Sequence, residues 1–158
     1  MKIDIHTHTR QCKSGDAPTR EISATDFCEK LLATEVRVAA ITNHNVFDVS
    51  QYREIETRLG DDGQVWPGVE LDVLDGDSRG HLLVIVSPRL ADEFSEAVEG
   101  LTEGSDSDSF ATTVEKVLEA FDALAPVYIA HYKQKTPSLS ADALKILEGN
   151  AQNPRCLV

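Results

Sequence analysis

The fold is first indicated by residues 2–9, Lys2-Ile3-Asp4-Ile5-His6-Thr7-His8-Thr9. Apolar and polar residues alternate here with a period of two, which is typical of a β-strand. This period predicts Ile3 and Ile5 on one side of the strand and Asp4, His6 and His8 on the other. We therefore expect the chain to open with a strand that presents two imidazoles in the same direction.

Strand patterns and helix patterns alternate along the rest of the chain. Further strands are predicted at residues 37–42, 64–73, 80–87 and 126–131, with one more starting at 155–158. Two helices are predicted to begin after the capping residues Ser23 and Asp48. Three more helices are predicted over residues 90–99, 110–124 and 141–148. The turn at residues 74–77 is too short for a parallel crossover, so the strands around it are predicted to form a hairpin. The pattern predicts an α/β fold with mostly parallel strands and one hairpin, arranged as a sheet or barrel.

Length and charge limit the classes of function. The 158 residues favour a single domain, and the formal net charge is −12, with ten acidic residues and one lysine between positions 91 and 122. Such acidity makes duplex nucleic acid an unlikely partner, although a small phosphorylated substrate or a nucleotide is still compatible with it. The polar N-terminus, the lack of a long apolar run and three cysteines without zinc-site spacing predict a cytoplasmic protein with no membrane segment.

The histidines fall where predicted strands end or begin. His6 and His8 end the first strand, His44 follows the second, Glu70 lies late in the third, and the hairpin brings the start of the fourth strand beside it. In α/β folds the chemistry gathers at the carboxyl ends of the strands, so these groups are predicted to meet at one rim. The full predicted set consists of His6, His8, His44, Glu70, His81 and His131.

Imidazole and carboxylate groups together are ligands for zinc, iron or manganese. Taken singly, each residue has an ordinary explanation, such as a surface pair, a turn cap or a hydrogen-bonded core histidine. Taken together they predict two or three divalent ions (Mn, Zn or Fe), with Glu70 able to bridge a pair. A hydroxide held between such ions could act as the nucleophile, so no separate protein nucleophile is predicted.

The pattern resembles the PHP (polymerase and histidinol phosphatase) family. The matching stretches are Asp4-Ile5-His6-Thr7-His8, Ile41-Thr42-Asn43-His44-Asn45, Pro67-Gly68-Val69-Glu70-Leu71 with Gly80-His81-Leu82-Leu83, and Ile129-Ala130-His131. The resemblance implies a distorted, seven-stranded (β/α) barrel with a trinuclear metal centre that hydrolyses phosphoesters.

Three departures from the family pattern affect these expectations. The family's second motif usually reads Thr-Asp-His-Asp, whereas asparagines stand at 43 and 45, so we expect altered hydrogen bonding around a retained His44. The family has a ligand in the loop after the first motif; Asp16 is the best candidate, but its spacing from His8 is longer than is usual in the family. The family also has a late Asp-x-His motif, which has no counterpart in this sequence up to Val158. We therefore expect an incomplete barrel that lacks the last βα units. This expectation makes the chain the N-terminal part of a longer protein with further domains.

The remaining expectations concern the substrate. Arg10, Lys13 and Arg20 lie in the loop after His8 and are predicted to bind substrate phosphate, whereas Arg79, Lys133 and Lys135 are interpreted as surface charges. Asp4 is predicted to orient an imidazole. The leading hypothesis is a metal-dependent phosphoesterase. The alternatives are a non-catalytic metal-binding or docking domain of a larger protein, and an amidohydrolase-like enzyme acting on C–N bonds.

Overall fold

The computed structural model describes residues 1–133 and 136–149, together with the backbone of 156–157. The strands are β1 (Lys2–Thr7), β2 (Val36–His44), β3 (Gln64–Asp75), β4 (Ser78–Ile85), β5 (Thr112–Thr113), β6 (Val127–Ala130) and β7 (Cys156–Leu157). The helices are α1 (Ala24–Ala33), α2 (Val49–Leu59), α3 (Ala91–Thr102), α4 (Val114–Phe121) and α5 (Ala141–Gly149). The alternation of strands and helices predicted from sequence is thus present. The predicted surface charge Lys135 lies outside the described residues.

The strands form one mixed sheet in the order β1-β2-β3-β4-β6-β7, with the short β5 beside the end of β3. Strands β1, β2 and β3 are parallel, but β4 is antiparallel to both of its neighbours, β3 and β6. The predicted hairpin is therefore correct, whereas the prediction of mostly parallel strands is wrong. The reason is that β4, once reversed by the hairpin, imposes a second antiparallel pairing on β6. The architecture is α/β and consistent with an incomplete barrel.

Local sequence signals explain where the first two helices begin. The Ser23 hydroxyl accepts a hydrogen bond from the backbone N–H of Asp26, and the Asp48 carboxylate accepts one from Gln51. Each side chain satisfies a donor that the first helical turn leaves unpaired. α2 ends at Gly60, whose φ of 49° is readily adopted by glycine. The helix predicted over residues 110–124 starts only at Val114, because Thr112 and Thr113 pair with β3 instead.

One face of the sheet is covered by helices and contains the hydrophobic core. Alternate strand residues such as Val69, Leu71 and Val84 pack in one cluster with helix residues that include Ile55 and Phe94. We call the opposite side the open face. It carries Trp66, Gly68 and Glu70 of β3 in alternate positions. Glu70 lies on this face near the carboxyl ends of the parallel strands.

A register irregularity in β1 decides which residues reach the open face. Three residue steps from Asp4 to Thr7 are matched by only two steps in β2, from Ala39 to Ile41. This extra residue is a bulge, and it breaks the simple alternation predicted for the strand. Ile5 lines the open face, and the next residue, His6, also reaches it, where it meets Glu70.

Candidate metal centre

The five histidines of the chain form a closed ring at one end of the open face. Neighbouring imidazole centroids lie 5.0–5.3 Å apart. The order around the ring is His6, His8, His44, His81 and His131, returning to His6. β1, β2, β4 and β6 supply these residues, directly or from the position that follows the strand. The predicted convergence of the imidazoles is therefore present in the structure.

Glu70 lies at the centre of this ring and is only 2 % exposed. Its Oε2 atom is 2.9 Å from Nε2 of His6, 3.3 Å from Nε2 of His8 and 3.4 Å from Nδ1 of His44. Its Oε1 atom is 2.6 Å from Nδ1 of His81 and 3.6 Å from Nδ1 of His131. One buried carboxylate therefore faces ring nitrogens from all five histidines.

The spacing of these atoms fits a shared cation. Two ligands that are each ~2.0–2.1 Å from a tetrahedral ion lie roughly 3.3 Å apart. The Nε2 atoms of His6 and His8 are 3.2 Å apart, and both lie within 3.3 Å of Glu70 Oε2. Within the part of the chain that the structure describes, the buried Nδ1 atoms of His8 and His44 have no hydrogen-bond partner. Because buried polar atoms are rarely left unpaired, the donor set fits divalent metal ions.

Among the residues that the structure describes, two groups of three side chains are compact enough to hold an ion each. The first consists of His6, His8 and Glu70, and the second of His44, Glu70 and His81, with ligand atoms within 4.8 Å of one another in each group. Glu70 belongs to both groups. A carboxylate has two oxygens, so Glu70 is able to face both positions at once.

The charges of the centre shift the pKa values of its members in opposite directions. Burial alone would raise the pKa of Glu70, but hydrogen bonds from His6, His8 and His81 hold it well below its usual value. Burial lowers the pKa of His44 to about 4, assisted by the nearby charge of Lys13. Burial also favours the neutral form of His81, but hydrogen bonds to Asp72 and Glu70 outweigh it and raise the pKa of His81 to about 9.

Asp16 lies at the edge of the centre, where its carboxylate contacts His44. Its Oδ1 atom is 3.4 Å from Nε2 of His44 and accepts a hydrogen bond of 2.6 Å from Arg20. Its Oδ2 atom accepts the backbone N–H groups of Cys12 and Lys13, which fixes the shape of the loop. The structure thus brings Asp16 to the ring, while half of its carboxylate holds the loop.

The three cations predicted to bind phosphate have different surroundings. Lys13 pairs with Asp72 and Arg20 with Asp16, and both of these carboxylates contact imidazoles of the ring. Arg10 instead pairs with Asp48 at the start of α2. Lys13 and Arg20 therefore lie beside the centre, whereas Arg10 is held at a helix end.

Asp4 has a contact that differs from the expected one. Its carboxylate accepts the backbone N–H of His6 at 3.1 Å and is exposed. Among the described residues, no contact links it to an imidazole, because the bulge after Asp4 breaks the alternation on which the prediction depended. Its predicted orienting role has no support from these contacts.

The two asparagines form a buried hydrogen-bond framework behind the ring. Asn43 accepts the backbone N–H groups of Thr9 and Arg10 and donates to the Thr9 hydroxyl. Asn45 accepts the backbone N–H of Asp72 and donates to its carboxylate at 2.9 Å. An aspartate at position 45 would face the Asp72 carboxylate, so the amide suits this neighbour. Asp72 is not among the residues predicted from the sequence, although its position two residues after Glu70 on a strand is a usable signal.

Comparisons with known structures identify the fold. The chain matches no protein-family model and no curated protein sequence. It is similar to a structure from Bifidobacterium adolescentis that is provisionally described as a metal-dependent phosphoesterase. That match has a TM-score of 0.66 and 11 % identity, and it covers 94 % of this chain and 74 % of the other.

Two further structures share the fold. One is an amidohydrolase from Chromobacterium violaceum with bound sulfate and no metal, at a TM-score of 0.59 and 13 % identity over 95 % of this chain and 73 % of that one. The other is Endonuclease Q in complex with a duplex containing an abasic lesion, at a TM-score of 0.61 and 16 % identity over 94 % of this chain and 40 % of that one.

These likenesses show a fold that is used by hydrolases, in agreement with the histidine-rich centre. Because one of these proteins binds duplex DNA, the fold itself does not exclude such a partner. The prediction against duplex binding, which rests on the acidity of this chain, stays a prediction. Among the described residues, none of the helices has the length and apolar content that crossing a bilayer requires.

Proposed function

We propose that this chain is a metal-dependent phosphoesterase of the PHP type that acts on a small phosphate ester. The observation that carries the proposal is the closed ring of five imidazoles around the buried Glu70. Burying a carboxylate is costly unless it is paired, and here ring nitrogens of all five histidines face it. The resemblance of the sequence motifs and the structural likeness to a phosphoesterase support the same function.

In this proposal two or three divalent ions (Mn, Zn or Fe) are held by the ring. His6, His8 and Glu70 would hold one, and His44, Glu70 and His81 a second, with His131 and Asp16 available to complete the coordination. Such ions would supply Lewis-acid polarisation of a phosphoryl oxygen and of a water molecule. The chain's own contribution is to hold the imidazoles in fixed directions and to keep Glu70 ionised.

Lys13 and Arg20 are the residues we propose for binding substrate phosphate. Both cations are already paired with carboxylates at the edge of the ring, which keeps their charges close to the centre. A phosphoryl group bound there would gain cationic partners for the oxygens that face away from the ions. Arg10 stays a weaker candidate because it pairs with Asp48.

A non-catalytic docking role is the second candidate, and one observation favours it. The end of the open face away from the ring is an apolar groove of about 220 Å³. Ile3 is 57 % exposed there and Ile5 41 % exposed, which is unusual for neighbouring aliphatic residues. A domain that bound metal only for stability and presented this groove to other parts of a larger protein would have the same two features.

The test begins with the metal content of the purified chain and with hydrolysis of aryl phosphomonoesters and diesters, with and without a chelator. We expect bound Mn, Fe or Zn and chelator-sensitive hydrolysis. His8→Ala and Glu70→Ala should each abolish it, whereas Glu54→Ala on the exposed side of α2 should not.

Full hydrolysis by either site variant would contradict the proposed mechanism. Chelator-sensitive folding without turnover of any phosphoester would favour the docking role. Preferential cleavage of an aryl amide would favour amidohydrolase-like chemistry.

A further inference from the structure

Asp72 is a buried carboxylate beside the centre that the proposed function does not use. It lies on β3 two residues after Glu70, so both side chains project from the open face, and it is 2 % exposed. Its Oδ1 atom is 3.0 Å from Nε2 of His81, and its Oδ2 atom accepts a hydrogen bond of 2.9 Å from Asn45. Lys13 pairs with the same carboxylate.

The geometry places Asp72 on the outer side of the His81 ring. Nδ1 of His81 is 2.6 Å from Glu70 Oε1, at the centre, and Nε2 points to Asp72. An imidazole that donates its Nε2–H to a carboxylate leaves the Nδ1 lone pair free for a cation. Asp72 would therefore act on an ion through His81 and not as a direct ligand to the same ion.

Asp72 is itself held in place on several sides. Its backbone N–H donates to Asn45 at 2.9 Å, while the amide of Asn45 returns a hydrogen bond to the carboxylate. Asn45 is fixed in turn by donating to the carbonyl of Ser107 at 2.9 Å. A carboxylate with so many fixed contacts is able to determine the orientation of the ring that it touches.

We propose that Asp72 is a positioning residue that orients His81 for metal binding and selects the tautomer with a free Nδ1. This inference rests on the metal centre of the proposed function, but it needs no assumption about the reaction or the substrate. Outer carboxylates that hydrogen-bond to metal-binding histidines commonly contribute ~10–100-fold to metal affinity. We expect an effect of that size for Asp72.

The experiment is a titration of the metal-free chain with Co²⁺, followed by visible absorption and calorimetry. Asp72→Asn preserves the shape of the side chain but removes its charge. We expect it to weaken the tightest Co²⁺ site by about 10- to 100-fold and to change the absorption bands that report ligand geometry. Asp48→Asn is the matched control, because Asp48 also pairs with a cation of the same loop but is not among the carboxylates that contact His81. It should leave Co²⁺ affinity within about twofold of wild type.

Lys13→Met separates positioning from a general loss of loop structure. If Asp72 served only to hold the loop, then removing Lys13 would weaken Co²⁺ binding as much as Asp72→Asn does. We expect the loss from Asp72→Asn to exceed that from Lys13→Met by about tenfold. If Asp72→Asn does not fold, Asp72→Glu keeps the charge but shifts the carboxylate, and it should also weaken Co²⁺ binding and alter the spectrum.

Three results would overturn the inference: unchanged Co²⁺ affinity in the folded Asp72 variant, equal losses in the Asp48 and Asp72 variants, or equal losses in the Lys13 and Asp72 variants. The experiment also distinguishes this inference from the proposed function. A chain that binds Co²⁺ but hydrolyses no phosphoester contradicts the function alone. A chain that binds no Co²⁺ contradicts both.

Discussion

The two ends of the open face reverse the usual relation between polarity and burial. At one end, Glu70 and His44 are polar and buried, and at the other end Ile3 and Ile5 are apolar and substantially exposed. Some strands contribute to both ends: Ile5 directly precedes His6 in β1, and Ile129 of β6 lies two residues before His131. On the helix-covered face, by contrast, buried positions such as Val69 and Leu71 are apolar, as expected for a core.

The contrast between the open face and the helix-covered face shows which residues stabilise the fold. Apolar burial on the helix-covered face stabilises the fold, whereas burying Glu70 costs free energy that its imidazole partners only offset. Exposed aliphatic residues at the other end contribute little. The two ends of the open face therefore differ in both polarity and burial, and substitutions at the two ends should have separable effects.

The largest effect is expected from Glu70→Gln at the polar end. Glu70 belongs to both candidate ligand groups, so the loss of its charge removes an anionic ligand from each. We expect metal affinity to fall by more than about 100-fold, since first ligands contribute more than their supporting partners. Calorimetric titration with Zn²⁺ or Mn²⁺ measures the change.

The control for this variant lies at the apolar end of the same face. Ile129→Ser changes a residue that lines the groove, two positions before His131. Its metal affinity should match that of the wild type. If the two variants lost affinity equally, the separation of the two ends would be wrong.

A smaller effect is expected from Gly68→Ala, at the boundary between the two ends. A Cβ at this position would lie 2.9 Å from Thr42 Cγ2, 3.1 Å from the Ile41 carbonyl and 3.2 Å from the Val84 carbonyl. Backbone atoms of two flanking strands cannot move aside easily, so we expect a loss of about 1–3 kcal/mol in the free energy of unfolding. Urea denaturation of the metal-free protein measures it.

Gly100→Ala is the matched control for this substitution. Gly100 lies in α3, and apart from its chain neighbours and the backbone of its own helix, no atom of the described residues would lie within 4 Å of a Cβ there. Alanine is the better helix former, so this variant should be unchanged or stabilised by up to about 1 kcal/mol. Equal destabilisation by the two substitutions would show that close packing at Gly68 is not the cause.

The pH dependence of stability should report the polar end. The pKa of His81 is raised from 6.5 to about 9, so its stabilising contribution is complete below pH 6.5 and is lost as the pH rises through 9. The pKa of His44 is lowered from 6.5 to about 4, so stability is lost as the pH falls from 6.5 towards 4. We expect the Tm of the metal-free protein to be highest near pH 6.5.

Two variants test whether His81 and His44 cause the decline in Tm on either side of pH 6.5. His81→Gln should flatten the decline on the alkaline side, and His44→Asn should flatten the decline on the acidic side. Thermal melts in the presence of a chelator, between pH 4 and pH 9.5, measure the Tm of the wild type and of both variants. If Tm still declined on both the acidic and the alkaline side in both variants, other groups would control the pH dependence.

Much of the fold and of the site geometry could be predicted because the signals are local. The caps Ser23 and Asp48 and the short turn after β3 need only neighbouring residues to be recognised. The convergence of the histidines followed from a general rule about strand ends together with the hairpin. The roles of the site residues as metal ligands stay predictions until metal is bound.

Features that depend on tertiary pairing could not be predicted in the same way. The bulge in β1 depends on the register with β2, and it removed Asp4 from the face of His6. The second antiparallel pairing, between β4 and β6, joins strands that are distant in the sequence. The contacts of Asp72 with His81, Asn45 and Lys13 also depend on tertiary pairing, although the place of Asp72 two residues after Glu70 is visible in the sequence.

The smallest effect is expected from Ile5→Ser at the apolar end. Ile5 is 41 % exposed, and it lines the groove with residues such as Val38 and Ile129. Because the side chain is only partly removed from water, we expect the free energy of unfolding to change by no more than about 0.5–1 kcal/mol, and metal affinity to stay constant. Val69→Ala, on the same sheet but in the core, should cost more, since Val69 is fully buried. Urea denaturation of the two variants, side by side, measures the ratio. A loss for Ile5→Ser as large as that for Val69→Ala would mean that the exposed end contributes to the core, and the two ends of the open face would then differ only in polarity.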